Sequence, residues 1–182
     1  MRVKSIFVAL IVFGFAIFAL TGNVLAWSAA EIDTGVVRSL GMLKDIGGGA
    51  EVLKKAEGVL VFPAVFKAGI GLGGEYGEGA LVIKGKTVDY YSTAAASIGF
   101  QLGAQKKTII LAFMDKAALE GFRNSDGWKV GADASVTVIA VGADGSIDTA
   151  KTNKPIVAFV FDQKGLMYNL TLEGAKITKL KR

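Results

Sequence analysis

Glu75 and Glu78 bracket Tyr76-Gly77, and two carboxylates this close in sequence are the raw material of a general acid and a general base. They stand at the end of a glycine-rich strand pattern, however, where carboxylates serve as turn and rim residues. Gly69-Ile70-Gly71-Leu72-Gly73-Gly74 has the G-x-G-x-x-G spacing of a dinucleotide-binding turn, and Asp89 stands 20 residues beyond its first glycine. That motif works by laying a pyrophosphate on the N-terminus of a helix that begins inside the glycines. Here Gly77 and Gly79 follow, then another strand and a turn, so the context argues against a nucleotide. Asp144 and Asp148 around Gly145 suggest calcium, but the twelve-residue loop pattern is absent, and Asp144-Gly145 between apolar runs reads as a hairpin. The chain has no histidine and no cysteine. Zinc, copper and haem sites built on those residues are excluded, as are Ser-His-Asp and Cys-His nucleophiles. The expectation is a protein that is not an enzyme and uses no metal and no cofactor.

What the glycine stretch does offer is bare backbone. At a period of two, Gly69, Gly71 and Gly73 share one strand face and Ile70 and Leu72 take the other. Ser97, Gly99, Gln101, Gly103 and Gln105 oppose Ile98, Phe100, Leu102 and Ala104 in a similar way. A strand face without side chains lets a helix, a sheet or a ligand come close to the backbone, or lets the sheet bend sharply. Close approach is therefore expected at Gly69, Gly71, Gly73, Gly99 and Gly103, through packing or bending before a ligand groove.

The elements that position these residues follow an export signal. Arg2 and Lys4 precede an uncharged run from Ile6 to Leu20, and Val24-Leu25-Ala26 supplies small residues for signal-peptidase cleavage. A helix crossing the hydrocarbon core needs ~20 apolar residues, more than this run provides, which favours a cleaved signal over residues 1–26 above a retained anchor. Removing it leaves 156 of the 182 residues, enough for one domain over residues 27–182. The net charge moves from +5 to +3, too little by itself to argue for nucleic acid. Without cysteine an exported chain relies on packing rather than disulfides, and its mature N-terminus has no residue to carry a lipid anchor.

Ile32, Val36, Leu40 and Leu43 line one face of a helix over Ala29 to Ile46, which Gly47-Gly48-Gly49 should stop. A shorter helix follows over Ala50 to Ala56. Strands are expected at Val59 to Phe62, closed by Pro63, and at Ala68 to Tyr76, with Ala80 to Ile83 and Thr87 to Tyr91 about a Gly85-Lys86 turn. Further strands are expected at Ser97 to Gln105, Thr108 to Met114, Ala134 to Val141, Ser146 to Thr149, Ile156 to Phe161 and Met167 to Leu172. Asp115 looks like the N-cap of one inserted helix over Lys116 to Phe122. Thr108 to Phe113 and Ile156 to Phe161 are apolar on both faces, which marks central strands and argues against an outer-membrane barrel. The fold class is α+β: a mostly antiparallel or partly closed, barrel-like sheet with N-terminal amphipathic helices and one short inserted helix.

Several separated motifs, in order, resemble the SYLF domain family. They are Gly58-Val59-Leu60-Val61-Phe62-Pro63, the run from Lys67 to Gly79, Tyr90-Tyr91-Ser92, and the run from Ser97 to Gln105. Phe113-Met114, Gly127-Trp128, Gly165-Leu166-Met167 and Leu172-Glu173-Gly174 fit as well, so the resemblance spans about residues 30 to 180. It implies a lipid-binding module. Eukaryotic members bind phosphoinositide membranes, partly through an N-terminal amphipathic helix and basic residues, and some fungal ones bind actin. Bacterial members are exported stand-alone domains, which implies the periplasm or cell surface of a bacterium. The membrane helix would fall on Ile32, Val36, Leu40 and Leu43, where only Arg38 and Lys44 supply positive charge.

Basic clusters at Lys54-Lys55, Lys84 with Lys86, Lys106-Lys107 and Lys176 to Arg182 fall in expected helix, turn or tail positions, and Phe66, Tyr76, Tyr90 and Tyr91 are near in sequence. Gln105 to Thr108 reads as a connection between strands that holds two ammonium groups in water. The lipid-binding candidates are Lys54, Lys55, Lys67, Tyr76, Lys106 and Lys107. The expected partner is anionic phospholipid or another lipid at a peripheral membrane contact, with no nucleic acid. The alternative is a periplasmic structural or protein-interaction domain that uses the glycine-striped sheet.

Overall fold

The computed structural model describes residues 27–99, 105–139, 146–147, 152–162, 165–167, 172 and 174–182, and the expected signal and the Asp144-Gly145 hairpin lie outside them. Helix α1, Ala29–Lys44, opens on Ser28, whose hydroxyl accepts from the Glu31 N–H while the Glu31 carboxylate accepts from the Ser28 N–H at 2.8 Å. This reciprocal cap satisfies two amide donors that a helix start otherwise leaves unpaired. The helix ends two residues earlier than its apolar spacing suggests. Gly48 takes a φ of 86°, while Gly49 already belongs to α2, Gly49–Lys55. A Cβ on Gly49 would stand 1.8 Å from the Leu43 carbonyl oxygen, so this glycine lets the two helices touch rather than only separating them.

Strand β1 runs unbroken from Gly58 to Ile83, 26 residues, against the expectation that Pro63 would close a short strand. Its pairing with β3, Gln105–Phe113, passes from Phe62↔Ile109 to Val65↔Lys107, so Pro63 sits in an irregularity of the ladder. A proline there costs no ladder bond. Its carbonyl accepts from the Thr108 hydroxyl at 2.9 Å. The second half of β1 pairs instead with β2, Lys86–Gly99, from Gly71↔Gly99 to Ile83↔Lys86. The turn between them is Lys84-Gly85, one residue earlier than expected, with φ of 50° and 77°. Two positive φ values are what a tight two-residue hairpin with the native strand twist requires.

β1 also folds across itself. A Cβ on Gly58 would lie 3.4 Å from Ile83 Cγ1, one on Gly79 2.1 Å from the Val61 oxygen, and one on Gly77 2.6 Å from the Ala64 oxygen. The two halves therefore cross face to face with the bend between them, which curls the sheet into a partly closed shape. Of the expected strand over Ser97 to Gln105, Ser97 to Gly99 belong to β2 and Gln105 to β3, and residues 100–104 lie outside the described residues.

The other elements are helix α3, Lys116–Arg123, and strands β4, Trp128–Lys129; β5, Thr137–Val138; β6, Ile156–Asp162; β7, Gly165–Met167; and β8, Lys176–Leu180. The sheet order is β4-β8-β2-β1-β3-β6-β5, with β7 on β6, and every named pair is antiparallel except β5 with β6. Asp115 caps α3 as expected, accepting from the Ala118 N–H at 2.7 Å. β3 and β6 are central, and Thr108 to Phe113 and Ile156 to Phe161 are buried throughout. The expected basic tail is instead mostly β8, whose Ile177 is buried between β2 and β4.

Each face of the sheet carries a core. One, closed by α3, holds Leu60, Phe62, Leu81, Ile109, Phe113, Phe122 and Trp128. The other lies under α1 and α2 and holds Ile32, Val36, Leu43, Val61, Ile110 and Phe159. With both faces of β1, β3 and β6 covered by residues of 27–182, this part packs a two-sided core within itself.

Candidate functional site

Alternation along β1 sends Glu75, Gly77, Gly79 and Leu81 to the α3 side of the sheet and Tyr76, Glu78 and Ala80 to the α1 side. Glu75 and Glu78 thus serve two different sites. On the α3 side, Glu75 meets Lys107 Nζ at 2.6 Å and Lys67 Nζ at 3.9 Å. The Lys107 and Glu75 side chains keep only 11% and 15% of their exposure, so this ion group is largely withdrawn from solvent. On the α1 side, Glu78 is buried and accepts from the Tyr76 hydroxyl at 2.9 Å, from the Trp27 N–H at 3.2 Å and from the Arg182 guanidinium. Burial, and then the bond to the Glu78 carboxylate, pushes the Tyr76 hydroxyl up to about 12.

Trp27 joins these groups to the next strand. Its ring stands edge-on to Phe66, with centroids 6.0 Å apart and planes at 68°. Phe66 in turn is the cross-strand partner of Lys106. Phe66 and Tyr76 remain 45% and 49% exposed, large rings held half out of the surface. Lys106 is exposed and has no ion-pair partner among the described residues. The result is a patch of two protruding aromatic rings and one free cation, held by Trp27 and the buried Glu78.

Four of the six lipid-binding candidates, Lys67, Tyr76, Lys106 and Lys107, come together at this end of β1 and β3. They do so differently from the sequence expectation, because Gln105 to Thr108 is strand and not a connection. Lys107 faces the Glu75 side, and only Lys106 points its charge to water. Lys54 and Lys55 stand elsewhere, in the last turn of α2, where Lys55 pairs with Glu51 at 2.7 Å.

The expected membrane face of α1 is corrected more sharply. Ile32, Val36 and Leu43 are 0%, 2% and 0% exposed and belong to the core, with Leu40 packed beside them. The apolar spacing marks the face that meets the sheet, and a membrane would have to displace that contact to reach it. Asp33 pins the helix, accepting from Thr87 Oγ1 at 2.9 Å and from the Tyr90 hydroxyl at 3.0 Å.

Residues 94–182, about half of the chain, match a family described as Ysc84, Las17-binding protein actin regulator. This match over residues 94–182 is to the family that the sequence motifs resemble, the SYLF domain family. Curated proteins give no match. The matched part of the SYLF domain begins within β2 and takes in β3, α3, β6 and β8, so Lys106, Lys107 and Arg182 lie inside it. Phe66, Tyr76 and Glu78 lie before it, on the strand that pairs with β3.

Of the expected close-approach glycines, Gly69, Gly71, Gly73 and Gly99 lie in β1 and β2, where Gly71 pairs with Gly99 and Gly73 with Ser97, while Gly103 lies outside the described residues. Within β1, close approach is displayed at Gly77 and Gly79. The signal for it was present, because both continue the odd-numbered stripe of Gly69, Gly71 and Gly73. Trp27, Glu78 and Arg182 were not singled out for this site, since nothing in local spacing links residues 27 and 182 to the middle of β1.

Proposed function

We propose that this SYLF domain is an exported, non-enzymatic module that binds anionic lipid surfaces peripherally, through the end of β1 and β3. The observation that carries the proposal is the juxtaposition of Phe66 and Tyr76, each about half exposed, with the unpaired Lys106. Half-exposed aromatic rings can bury apolar area at the headgroup boundary of a bilayer, and a lysine near an anionic surface contributes ~1 kcal/mol. Lys67 and Lys107 support the patch from beneath, their charge offset in part by Glu75. The membrane contact proposed here is the sheet end, with α1 left in the core.

The clean variant is Lys106→Glu, because Lys107 is tied into an ion pair and its reversal would set two carboxylates together. Reversing one charge removes ~2 kcal/mol of attraction, or about 30-fold in affinity for anionic vesicles. Phe66→Ala with Tyr76→Ala should weaken binding at every salt concentration, whereas the effect of Lys106→Glu should shrink as salt rises. Binding that ignores all three substitutions would place the lipid elsewhere. No binding to any vesicle by a folded sample would favour the second reading, a protein-interaction domain, which accords with the binding role in the matched family's description.

A further inference from the structure

The Trp27 nitrogen lies 3.2 Å from Glu78 Oε2, and Glu78 is only 4% exposed. A carboxylate withdrawn from water is costly unless cations or several donors surround it. In an uncleaved chain this nitrogen is an amide and offers Glu78 one neutral N–H. Arg182 supplies the cation, and its guanidinium also donates to the Trp27 carbonyl oxygen, so the residue that neutralises Glu78 also holds Trp27 in place.

We propose that removal of the leader completes this site, and that the new α-ammonium of Trp27 is a built-in ligand of Glu78. The inference rests on the reading of residues 1–26 as a cleaved signal. Signal peptidase would hydrolyse the Ala26–Trp27 peptide bond with one water, leaving a carboxylate on Ala26 and an amine on Trp27 that takes up a proton at neutral pH. The nitrogen then carries a full positive charge and three donors where one N–H stood. Processing thereby ties the first residue of the mature domain to the middle of β1 and, through Arg182, to the residues after β8. The charged and titratable groups around it are Glu78 and Tyr76 from β1 and Arg182 from the chain end, with the Tyr90–Asp33 pair between β2 and α1 beyond them. The uncleaved form keeps the same fold but is less firmly closed at this corner.

The test uses residues 27–182 released from a fusion so that Trp27 is the first residue, beside the same protein with Gly-Ser before Trp27. The α-amino pKa is read from the pH dependence of N-terminal acylation by mass spectrometry. It should lie at least about one unit above the ordinary range of about 7.7–8.0, and Glu78→Gln should return it to that range. At pH 7 the free Trp27 form should melt about 3–5 °C above the extended form, the equivalent of a tenfold change in proton affinity. Because the folded pKa is raised, that advantage is complete below the unfolded pKa and disappears as pH rises through the folded one. An ordinary α-amino pKa, or equal melting of the two forms, overturns the proposal. Should Glu78→Gln fail to fold, the melting comparison decides alone. Mass spectrometry of the protein exported with its own leader must find Trp27 first, and any other first residue overturns the biological half. None of these readouts involves lipid, so loss of the lipid-binding proposal would leave them unaffected.

Discussion

Adding one methyl group at Gly79 should be among the most damaging small changes in this domain. A Cβ there would stand 2.1 Å from the Val61 carbonyl oxygen, 2.7 Å from Phe62 Cδ1 and 2.8 Å from the Val61 carbonyl carbon. Carbon and oxygen in ordinary contact sit about 3.3–3.6 Å apart, so the crossing halves of β1 would have to separate by more than ~1 Å. Neither neighbour can yield cheaply, because Val61 and Phe62 are 0% and 1% exposed and Val61 is paired through β3 with Ile110. Overpacking of a dense core costs roughly 1–3 kcal/mol, and a clash with backbone belongs at the upper end. For a domain of this size ~3 kcal/mol lowers the melting temperature by ~6–12 °C. The control is Gly41→Ala within α1, where a Cβ meets nothing within 4 Å. There the alanine should stabilise by ~0.5–1 kcal/mol. Thermal melts followed by tryptophan fluorescence and far-ultraviolet circular dichroism would read both. If Gly79→Ala melts within about 2 °C of the parent, the self-crossing of β1 is not what holds the curl.

Three further outcomes follow from the packing. The Tyr91 hydroxyl is buried with no hydrogen-bond partner among the described residues, so Tyr91→Phe should stabilise the domain by ~1 kcal/mol in urea denaturation. Tyr76 and Tyr91 are each pushed up to about 12, chiefly by burial, while an unfolded tyrosine ionises near ~10. Their contribution to stability is thus complete below pH ~10 and lost as pH rises towards 12, which a series of urea midpoints should follow; phenolate absorbance rising near pH 10 for both would contradict it. Asp33→Ala removes the two hydroxyl bonds that tie α1 to β2 and should cost ~2 kcal/mol; an unchanged melting temperature would mean the apolar face alone seats the helix.

The parts of the fold that one strand or helix decides by itself were legible in the sequence. Thr108 to Phe113 and Ile156 to Phe161 read as central strands because both of their faces are apolar, and they are central. The Asp115 cap and the α1 stripe were legible for the same reason. What failed depends on pairing across long separations. Pro63 reads as a strand end until the shift between Phe62↔Ile109 and Val65↔Lys107 absorbs it. Lys176 to Leu180 reads as a basic tail until β2 and β4 supply partners for Ile177. The α1 stripe was legible as a face but not as to what it faces, since spacing alone cannot tell a sheet from a membrane. In the candidate site, Tyr76 and Lys106 were legible as types, while the choice of Lys106 over Lys107 as the free cation depends on strand parity and on Glu75.

Co-sedimentation of residues 27–182 with vesicles of phosphatidylcholine alone and of phosphatidylcholine with phosphatidylglycerol, at low and at high salt, reads the proposed lipid contact itself. Binding to the anionic vesicles, weakened by salt and about 30-fold weaker for Lys106→Glu, is the predicted result. Equal and negligible sedimentation with both vesicle types, by protein whose thermal melt shows it folded, would contradict it.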